Sequence, residues 1–356
     1  MRVFQLMPTI AMGDAVSNDA VAVGKVLRSM GYDTEIYADS IDKRLPSGTA
    51  RSFDKFPRIT SNDTIIYHLS TGSAMTYVLN NYKCRKGIIY HNITPSYFYR
   101  PYNGEMVETL EYGRNSIAQL ADKVDFCLAD SEYNMRELRE LGYKCSISVR
   151  PVLIPFTDYA QRPDDTIIKQ YDNDGFVNFL FVGRIAPNKK HEDIIKIFYT
   201  YHKYCNPKSR LIFVGSWNET ELYYRRLLRY VDALGLDNVV FTGHITFRQL
   251  LAYYQIADMF ICMSEHEGFC VPLVEAMYFG VPVMAYNAAA VPDTLGGTGI
   301  LLNDKDPFEA ALMADRVLTD TALRREIISE QRRRQQDFSY NAVKSQLEEQ
   351  LRAVIG

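Results

Sequence analysis

Short apolar runs alternate with helical stretches along the chain, and this alternation limits the possible folds more than any other feature. Each run has about five residues rich in β-branched and aromatic types, the pattern of a strand buried on both faces of a parallel sheet. The runs of the first half are Val3–Met7, Thr34–Ala38, Thr64–Leu69, Gly87–Asn92 and Asp125–Asp130. Helical stretches separate them, for example Asn18–Met30 and Tyr133–Leu141, and each is followed by a glycine. Strands separated by helices predict βαβ units.

A second series of the same kind follows the proline-containing stretch Pro151–Pro163. Its apolar runs are Val177–Gly183, Leu211–Ser216, Val239–Gly243, Met259–Ser264, Val281–Tyr286 and Gly299–Leu302. The length of 356 residues suits two domains of this size. We therefore predict an α/β chain of two doubly wound, Rossmann-like domains facing a central cleft, with ligands beyond the carboxyl ends of the strands. The first domain is assigned to residues 1–155 and the second to residues 156–338.

The remaining residues, 339–356, are predicted to form a helix. Ser339 is a suitable N-cap, and one apolar stripe follows it. The stripe consists of Val343, Leu347, Leu351 and Val354. We expect this helix to pack back toward the N-terminal domain.

Charge and cysteine content exclude some classes of protein. The net charge is −3 with Lys and Arg interspersed among Asp and Glu, so nucleic acid is not an expected partner. The six cysteines show no CxxC and no His/Cys metal spacing, which favours a reducing cytoplasm. They are Cys84, Cys127, Cys145, Cys205, Cys262 and Cys270. We expect a cytoplasmic protein, because no signal-peptide h-region and no run of about 18 apolar residues is present.

The stretch Ser264–Gly280 carries the most informative residues. It follows a strand-like run, turns at Gly268 and enters a short helix around Pro272, a residue suited to a first helical turn. This arrangement directs backbone N–H groups and the positive end of a helix dipole towards a bound diphosphate or sugar. Glu267 lies at the loop edge and Glu275 about one turn inside the helix, which favours binding of two different hydroxyl groups over a metal site.

Glu267 and Glu275 stand within Ser-x-x-Glu-Gly-Phe-x-x-Pro-Leu-x-Glu-Ala-Met-x-x-Gly. This stretch resembles the E-x7-E signature of the family 4 glycosyltransferases, which have the GT-B fold. The resemblance implies that Glu267 and the following loop amides contact the transferred sugar, while Glu275 binds the nucleotide ribose. The amides belong to Gly268, Phe269, Cys270 and Val271. An acidic loop before a buried helix is the alternative interpretation.

A second cluster, Gly183-Arg184 with Lys189, follows another apolar run. Two cations across a tight Pro-Asn turn can approach one diphosphate from two sides, and arginine can do so bidentately. The cluster is similar to the Gly-Arg-x4-Lys-Gly pattern of the same family, with Lys190 in place of the final glycine. This implies that Arg184 and Lys189 bind the diphosphate, with Lys189 favoured over Lys190. A basic surface turn is the alternative.

Two further strand ends belong to the predicted donor site. By resemblance, Gly215 and Gly243 line the nucleotide pocket, and the base lies near Gly243, His244 and Ile245. The same glycines also fit ordinary strand-to-loop junctions.

In the first domain, Gly13 lies at a strand-to-helix junction and allows close approach of the backbone to donor phosphate or acceptor. His91 ends an apolar run, where a histidine can hydrogen-bond sugar hydroxyls or polarise the acceptor. Relatives often have a histidine here, so His91 is the leading site residue of this domain; the alternative is hydrogen bonding to the loop backbone. His68 is a weaker candidate, and Ser131 is predicted to cap a helix.

Several motifs are absent from the sequence. No GxGxxG follows a strand, and no GxxxxGK[ST], HExxH or GxSxG occurs. Asp172-Asn173-Asp174 has the DxD spacing of metal-dependent sugar transferases with another fold, but its polar surroundings favour a turn.

These observations predict a retaining hexosyltransferase that needs no metal and no cofactor. The donor is an NDP-sugar, either GDP-mannose or a UDP-hexose, and the acceptor is a glycan or lipid-linked glycan of cell-surface polysaccharide synthesis. Glu267, His91, Arg184 and Lys189 are the predicted catalytic residues. The alternatives are an epimerase or phosphorylase on the same fold, or a non-catalytic sugar-nucleotide-binding protein.

Two segments, Tyr82–Lys86 and Tyr97–Tyr102, combine basic and aromatic residues. They are candidates for contact with an acceptor or with the inner face of the cell membrane, as a peripheral protein would make. A packed or solvated surface is the alternative.

Overall fold

The computed structural model describes residues 1–171, 174–217 and 220–355. They divide into two compact units. The first unit comprises residues 1–97, 105–156 and 337–356, and the second comprises residues 98–104 and 157–336. The short segment Phe98–Gly104 thus groups with the second unit, although its position in the sequence is within the first predicted domain.

The first unit contains a sheet of seven parallel strands in the order β3-β2-β1-β4-β5-β6-β7. The strands are β1 (Arg2–Ile10), β2 (Asp33–Ile41), β3 (Arg51–Ser52), β4 (Thr64–Leu69), β5 (Arg85–Tyr90), β6 (Phe126–Ala129) and β7 (Ser146–Val149). The helices between them are α1 (Ala15–Ser29), α2 (Met75–Val78), α3 (Gly104–Gln119) and α4 (Glu132–Glu140). Short 3-10 turns complete the connections.

The second unit contains a sheet of six parallel strands in the order β10-β9-β8-β11-β12-β13. The strands are β8 (Val177–Val182), β9 (Ser209–Val214), β10 (Val239–Phe241), β11 (Met259–Cys262), β12 (Val283–Tyr286) and β13 (Ile300–Leu302). The helices are α5 (Asp165–Tyr171), α6 (His191–Tyr204), α7 (Glu221–Ala233), α8 (Phe247–Ile256), α9 (Val271–Phe279), α10 (Val291–Leu295), α11 (Pro307–Thr319) and α12 (Thr321–Asp337).

The last helix, α13 (Tyr340–Ile355), belongs to the first unit and adds to its core. Its buried residues are Val343, Leu347, Leu351 and Ile355. The predicted stripe is confirmed at Val343, Leu347 and Leu351, and Val354 is partly buried and packs against the same core. Residues spaced by four stay on one helix face, so the stripe continues to Ile355.

The prediction of two doubly wound α/β domains is confirmed. Each apolar run of the sequence corresponds to a strand, although the ends differ for most runs other than Thr64–Leu69. The run Gly87–Asn92 ends as a strand at Tyr90, and Asn92 has a φ of 76°. Two strands were missed, β3 and β7, because one is very short and the other alternates serine with apolar residues. Among the described residues, no helix is long and apolar enough to cross a bilayer.

Each sheet has one point where the strand order reverses. In the first unit, β1 lies between β2 and β4; in the second, β8 lies between β9 and β11. The connections leaving the two strands at such a point run to opposite sides of the sheet, which opens a crevice at the carboxyl ends. The loops that follow β1, β4, β8 and β11 are therefore the places to look for a site.

Candidate active site

The loops after β8 and β11 are joined to each other at the reversal point of the second sheet. The backbone N–H of Glu265 donates to the carbonyl of Asn188 at 2.9 Å. The Asn188 side-chain amide donates to the carbonyl of His266 at 3.0 Å, and both side chains are buried. The residues of the two predicted clusters, which are far apart in sequence, therefore lie in one group at the edge of the sheet.

Lys189 and Glu267 form the charged centre of this group. The Lys189 Nζ lies 2.6 Å from each carboxylate oxygen of Glu267. The Lys189 side chain is 21% exposed and that of Glu267 is 9% exposed. Burial acts to lower the pKa of Lys189, but the adjacent Glu267 carboxylate outweighs burial and the pKa is raised. The ammonium is therefore held charged next to the loop that precedes α9.

Lys190 has a different environment from Lys189. Its Nζ lies 3.3 Å from Oε2 of Glu265, and the other carboxylate oxygen, Oε1, accepts from Lys305 at 2.8 Å. Its backbone is left-handed, with φ 54° and ψ 50°, at the start of α6. A residue with a Cβ is strained in this region and glycine is not, which explains why the similar family pattern has glycine here.

The turn before α9 contains the residues predicted to offer backbone amides. Gly268 and Val271 are half-buried, whereas Phe269 and Cys270 are buried. Cys270 is the N-cap of α9 and has a left-handed backbone, with φ 72° and ψ 67°. The carbonyl of Phe269 accepts from the Thr294 hydroxyl, which fixes the turn against α10. The predicted helix around Pro272 is observed as Val271–Phe279.

Glu275 lies on α9 with both carboxylate oxygens hydrogen-bonded. The Tyr159 hydroxyl donates to Oε1 at 2.5 Å, and the Tyr254 hydroxyl donates to Oε2 at 2.6 Å. Glu275 is only 6% exposed, and burial raises its pKa although the two hydroxyls act to lower it. A carboxylate oxygen has two lone pairs, so each can accept one further hydrogen bond. Neither tyrosine was identified from the sequence, because no motif surrounds them.

Glycine backbone lines the ends of three neighbouring strands, β8, β9 and β10. Gly215 and Gly243 form an antiparallel bridge just beyond β9 and β10. A Cβ on Gly215 would lie 1.9 Å from the carbonyl oxygen of Gly183, so only glycine fits there. Trp217, which follows Gly215, stacks on Tyr224 with ring centroids 4.0 Å apart. His244 is exposed and Ile245 is half-buried at the same edge.

Arg184 is exposed directly after Gly183. The second unit thus brings together the loops that carry Arg184, Lys189 and Glu267, and the strand ends at Gly215 and Gly243. The arrangement can hold an anion at the cations and hydroxyl groups at the carboxylates.

The predicted residues of the first unit have a different setting. His91 is buried, and both of its ring nitrogens are hydrogen-bonded: Nδ1 to Asp130 at 2.7 Å and Nε2 to His68 at 2.9 Å. The other ring nitrogen of His68 lies 2.8 Å from the Gln5 side-chain oxygen. His91 thus lies inside the unit and does not present a ring nitrogen at the surface. The polar groups that hold it are side chains, not the loop backbone of the alternative interpretation.

Arg150 completes this group. It makes two hydrogen bonds to Asp19, at 2.7 and 2.8 Å, and one to Asp130 at 3.3 Å. Asp130 raises the pKa of His91 against the opposing effect of burial, whereas burial lowers the pKa of His68 well below its usual value. We call the set the histidine network. Its members are Gln5, Asp19, His68, His91, Asp130 and Arg150.

Gly13 lies in the loop after β1, at the reversal point of the first sheet, with a φ of 77°. Asp14 follows as the N-cap of α1 and accepts from the backbone N–H of Ser17 at 2.9 Å. The predicted cap at Ser131 is confirmed, since its hydroxyl accepts from the backbone N–H of Asn134.

The two basic and aromatic segments are partly exposed, with Lys83 and Arg85 at the surface in the first and Arg100 and Pro101 in the second. Of the aromatic stretch from Tyr97, Phe98 and Tyr99 are buried, and Tyr102 contacts Tyr223; Tyr97 is exposed. Asp172 and Asn173 of the DxD segment lie outside the described residues. Asp174 accepts from Arg210 at 2.6 Å.

Comparison with known proteins agrees with this architecture. Residues 164–334 match the family model described as Glycosyl transferases group 1. This range covers the loops after β8 and β11, with Arg184, Lys189, Glu267 and Glu275.

Over this range the chain is similar to the glycosyl transferases of group 1, and its two parallel-sheet units have the GT-B fold.

Solved structures share this fold over nearly all of the chain. Anabaena HepE in complex with UDP-glucose has a TM-score of 0.76 at 19% sequence identity and covers 99% of this chain and 100% of that one. Sucrose-phosphate synthase from Thermosynechococcus elongatus has a TM-score of 0.75 at 18% identity and covers 99% of both chains.

Curated relatives match over shorter ranges. The serotype-specific mannosyltransferase WbdA of Escherichia coli is 27% identical over 173 residues, which is 48% of this chain and 21% of that protein. The GDP-mannose-dependent alpha-mannosyltransferase of Mycolicibacterium smegmatis is 34% identical over 157 residues, which is 42% of this chain and 36% of that protein. The matched range therefore spans only about a fifth to a third of these relatives' length.

Proposed function

We propose that the protein transfers a hexose from an NDP-sugar to a hydroxyl of a glycan or lipid-linked glycan, retaining the anomeric configuration and without a metal ion. The observation that carries the proposal is the group at the reversal point of the second sheet, where the loop that carries Arg184 and Lys189 is joined to Glu267 and the turn before α9. This group combines cations for a diphosphate with a carboxylate for a sugar.

In the proposed donor complex, Arg184 and Lys189 neutralise the charge of the leaving diphosphate. The amides at the start of α9 and Glu267 orient the transferred sugar, and the ion pair with Lys189 holds the Glu267 carboxylate in position. Glu275 accepts from the ribose hydroxyls with the lone pairs that Tyr159 and Tyr254 leave. The glycine backbone at Gly215 and Gly243 lies against the nucleotide, with the base near His244 and Ile245.

The reaction needs no enzymic nucleophile. The bond between the anomeric carbon and the phosphate oxygen breaks, and a bond to the acceptor oxygen forms on the same face. The acceptor proton passes to the departing phosphate oxygen. Positioning and electrostatic stabilisation supply the rate enhancement.

GDP-mannose is the first donor to test. Two of the relatives named above are mannosyltransferases, and the name of one specifies GDP-mannose. HepE is solved with UDP-glucose, which makes UDP-hexoses the second choice.

The first unit, with Gly13, is proposed to bind the acceptor. His91 contributes there as a positioning residue, because its ring is held inside the histidine network. Such an enzyme would take part in polysaccharide synthesis in the cytoplasm, at the inner face of the membrane.

The proposal is tested by comparing the wild type with the Arg184→Ala and Glu275→Gln variants. Donor binding is measured as thermal stabilisation by GDP-mannose, UDP-glucose and related nucleotide sugars, since a ligand of the native state raises its stability. Loss of one charge-assisted hydrogen bond should weaken donor binding about 10- to 100-fold. Arg210→Ala is the matched control, because Arg210 lies at the amino end of β9 and pairs with Asp174.

Unchanged donor affinity and turnover in both variants would refute the site. NDP release with an added glycan acceptor measures transfer, and NMR of the product reports the anomer. Activity should persist in a chelator; complete dependence on Mg²⁺ or Mn²⁺ would refute the metal-independent mechanism.

A further inference from the structure

Two thiols and a carboxylate converge where β11 meets α9. Cys262 is the last residue of β11, Cys270 is the N-cap of α9, and Glu267 lies in the loop between them. One ligand atom from each residue lies within 4.8 Å of the others, and all three residues are buried. No step of the proposed transfer uses either thiol.

The chemistry of this donor set points to a thiophilic cation. Two thiolates with one carboxylate suit Zn²⁺, which binds sulfur and oxygen in a tetrahedron and accepts water as its fourth ligand. Mg²⁺ and Mn²⁺ favour oxygen ligands, so this cluster is unlike the metal sites of metal-dependent transferases.

The local charge allows a buried divalent cation. Without metal, the Lys189 ammonium balances the Glu267 carboxylate. With Zn²⁺, two thiolates, one carboxylate and the same ammonium again sum to zero. A buried group of charges is tolerated when it is neutral as a whole and its members are paired.

A second cluster of potential ligands, Asp19 with His68 and His91, lacks these properties. Its ligand atoms are already hydrogen-bonded within the histidine network, and the Arg150 guanidinium lies 2.7 Å from Asp19. A divalent cation there would leave positive charge uncompensated, because histidines bind metals as neutral ligands and Arg150 already offsets one of the two carboxylates, Asp19 and Asp130. The cluster beside α9 is therefore the better site among the described residues.

We propose that Cys262, Glu267 and Cys270 form a binding site for Zn²⁺ and that its occupation opposes NDP-sugar binding. Binding displaces the two thiol protons to solvent and changes no oxidation state. One Glu267 oxygen turns to the metal, and Lys189 retains the other. The inhibitory part rests on the proposed function, because it requires that Glu267 and the amides before α9 contact the donor.

The metal site is tested with the purified, reduced protein and Co²⁺ as a spectroscopic probe for Zn²⁺. Thiolate-to-Co²⁺ charge-transfer absorption should appear at one equivalent of metal. Cys270→Gly removes one thiol at a position whose left-handed backbone suits glycine, so this variant keeps its fold. Cys262→Ala removes the other thiol.

Each variant should weaken Zn²⁺ affinity, measured by competition with a chromophoric chelator, about tenfold or more. Cys145→Ser is the matched control. It breaks the other pair of close thiols, Cys127 and Cys145, whose sulfur atoms are 3.6 Å apart in the first unit. Absorption that is absent from the wild type, unchanged in both site variants, or lost in the control would overturn the proposal.

Inhibition is measured as thermal stabilisation by GDP-mannose or UDP-glucose with and without Zn²⁺. The wild type should lose this stabilisation in Zn²⁺, and Cys262→Ala, which removes a thiol outside the donor-binding turn, should show the same response in both conditions. Equal loss in the two proteins would refute the inhibitory part. If no nucleotide sugar stabilises the metal-free wild type, the proposed function fails, while the Co²⁺ absorption still decides the metal site.

Discussion

The two sheets end differently at the point where their strand order reverses. In the first unit, polar side chains at the strand ends bind each other, and the histidine network is closed by the Arg150–Asp19 pair with both side chains fully buried. In the second unit, the corresponding side chains stand on loops, where Arg184 is exposed and Lys189 is partly exposed. Both sheets are parallel and reverse their strand order once, yet this edge holds a buried polar network in the first unit and exposed cations in the second.

The difference shows how charge balance separates a structural polar cluster from a binding site. Asp19, Asp130 and Arg150 satisfy one another, so removal of one member leaves an uncompensated charge in a low dielectric. The cations after β8 can gain a new anionic partner without leaving a buried group unpaired. We expect mutations in the first cluster to change stability and mutations in the second to change ligand binding.

The largest effect is expected from Arg150→Met. The variant leaves Asp19 and Asp130 buried without their cation, and we expect the free energy of unfolding of the first unit to fall by about 3–5 kcal/mol. Urea denaturation followed by circular dichroism measures this change. Arg184→Met is the matched control in the second unit, where stability should change by no more than about 0.5 kcal/mol while donor binding weakens. A loss below about 1 kcal/mol for Arg150→Met would contradict the distinction between the clusters.

An effect of intermediate size on the free energy of unfolding is expected when the pH is lowered, because histidines are buried. His191 is fully buried against Phe181, Phe213 and Tyr223, and burial lowers its pKa to about 3. The unfolded chain therefore binds more protons between that pKa and about 6.5, so stability falls as the pH falls through this window. His191→Phe should remove a loss of about 2 kcal/mol between about pH 7 and pH 5. Urea denaturation at both pH values measures the difference.

His91 should behave in the opposite direction, because its pKa is raised. It contributes stability that is present below its unfolded pKa and lost as the pH rises through its folded pKa. His91→Asn should therefore lose more stability in acid than in mild base. If the stability of the His91 and His191 variants changed with pH in the same direction, this predicted difference between the two histidines would be refuted.

The smallest effect on stability is expected from substitution of Lys190. Lys190→Gly relieves the left-handed backbone at the start of α6, and we expect the second unit to gain about 0.5–1 kcal/mol after loss of the ion pair with Glu265. Lys190→Ala is the control, because it loses the ion pair and keeps the strained Cβ. Donor affinity should stay unchanged in both variants if Lys189 is the lysine that binds the diphosphate. Weakened donor binding in both variants would show that Lys190 is the lysine that binds the diphosphate.

Much of the fold was predictable because its signals are local. Buried parallel strands such as Thr64–Leu69 appear as apolar runs, and this one is observed with the same bounds. Strand β7 was missed because Ser146 and Ser148 interrupt its apolar pattern. The stripe on α13 was predicted except for its last buried residue, Ile355, because the end of a helix leaves no clear periodic signal.

The candidate site was predictable where a motif carries it. Arg184, Lys189, Glu267 and Glu275 stand in short patterns, and their placement on the loops after β8 and β11 and on α9 follows from the strand–loop–helix order. Tyr159 and Tyr254 were not predictable. Their hydroxyls reach Glu275 from positions 116 and 21 residues away in the chain, so only folding brings them together.

The sequence by itself determined the two parallel-sheet units, the position of the α9 turn and the identity of the charged residues near it. These follow from hydrophobic periodicity and from helix and turn chemistry, which act over a few residues. The tertiary structure alone decided which charges pair. It placed His91 inside a buried network, joined Lys189 to Glu267, and set Cys262 beside Cys270. Such pairing depends on the order of strands in a sheet, and strand order is a property of the whole fold.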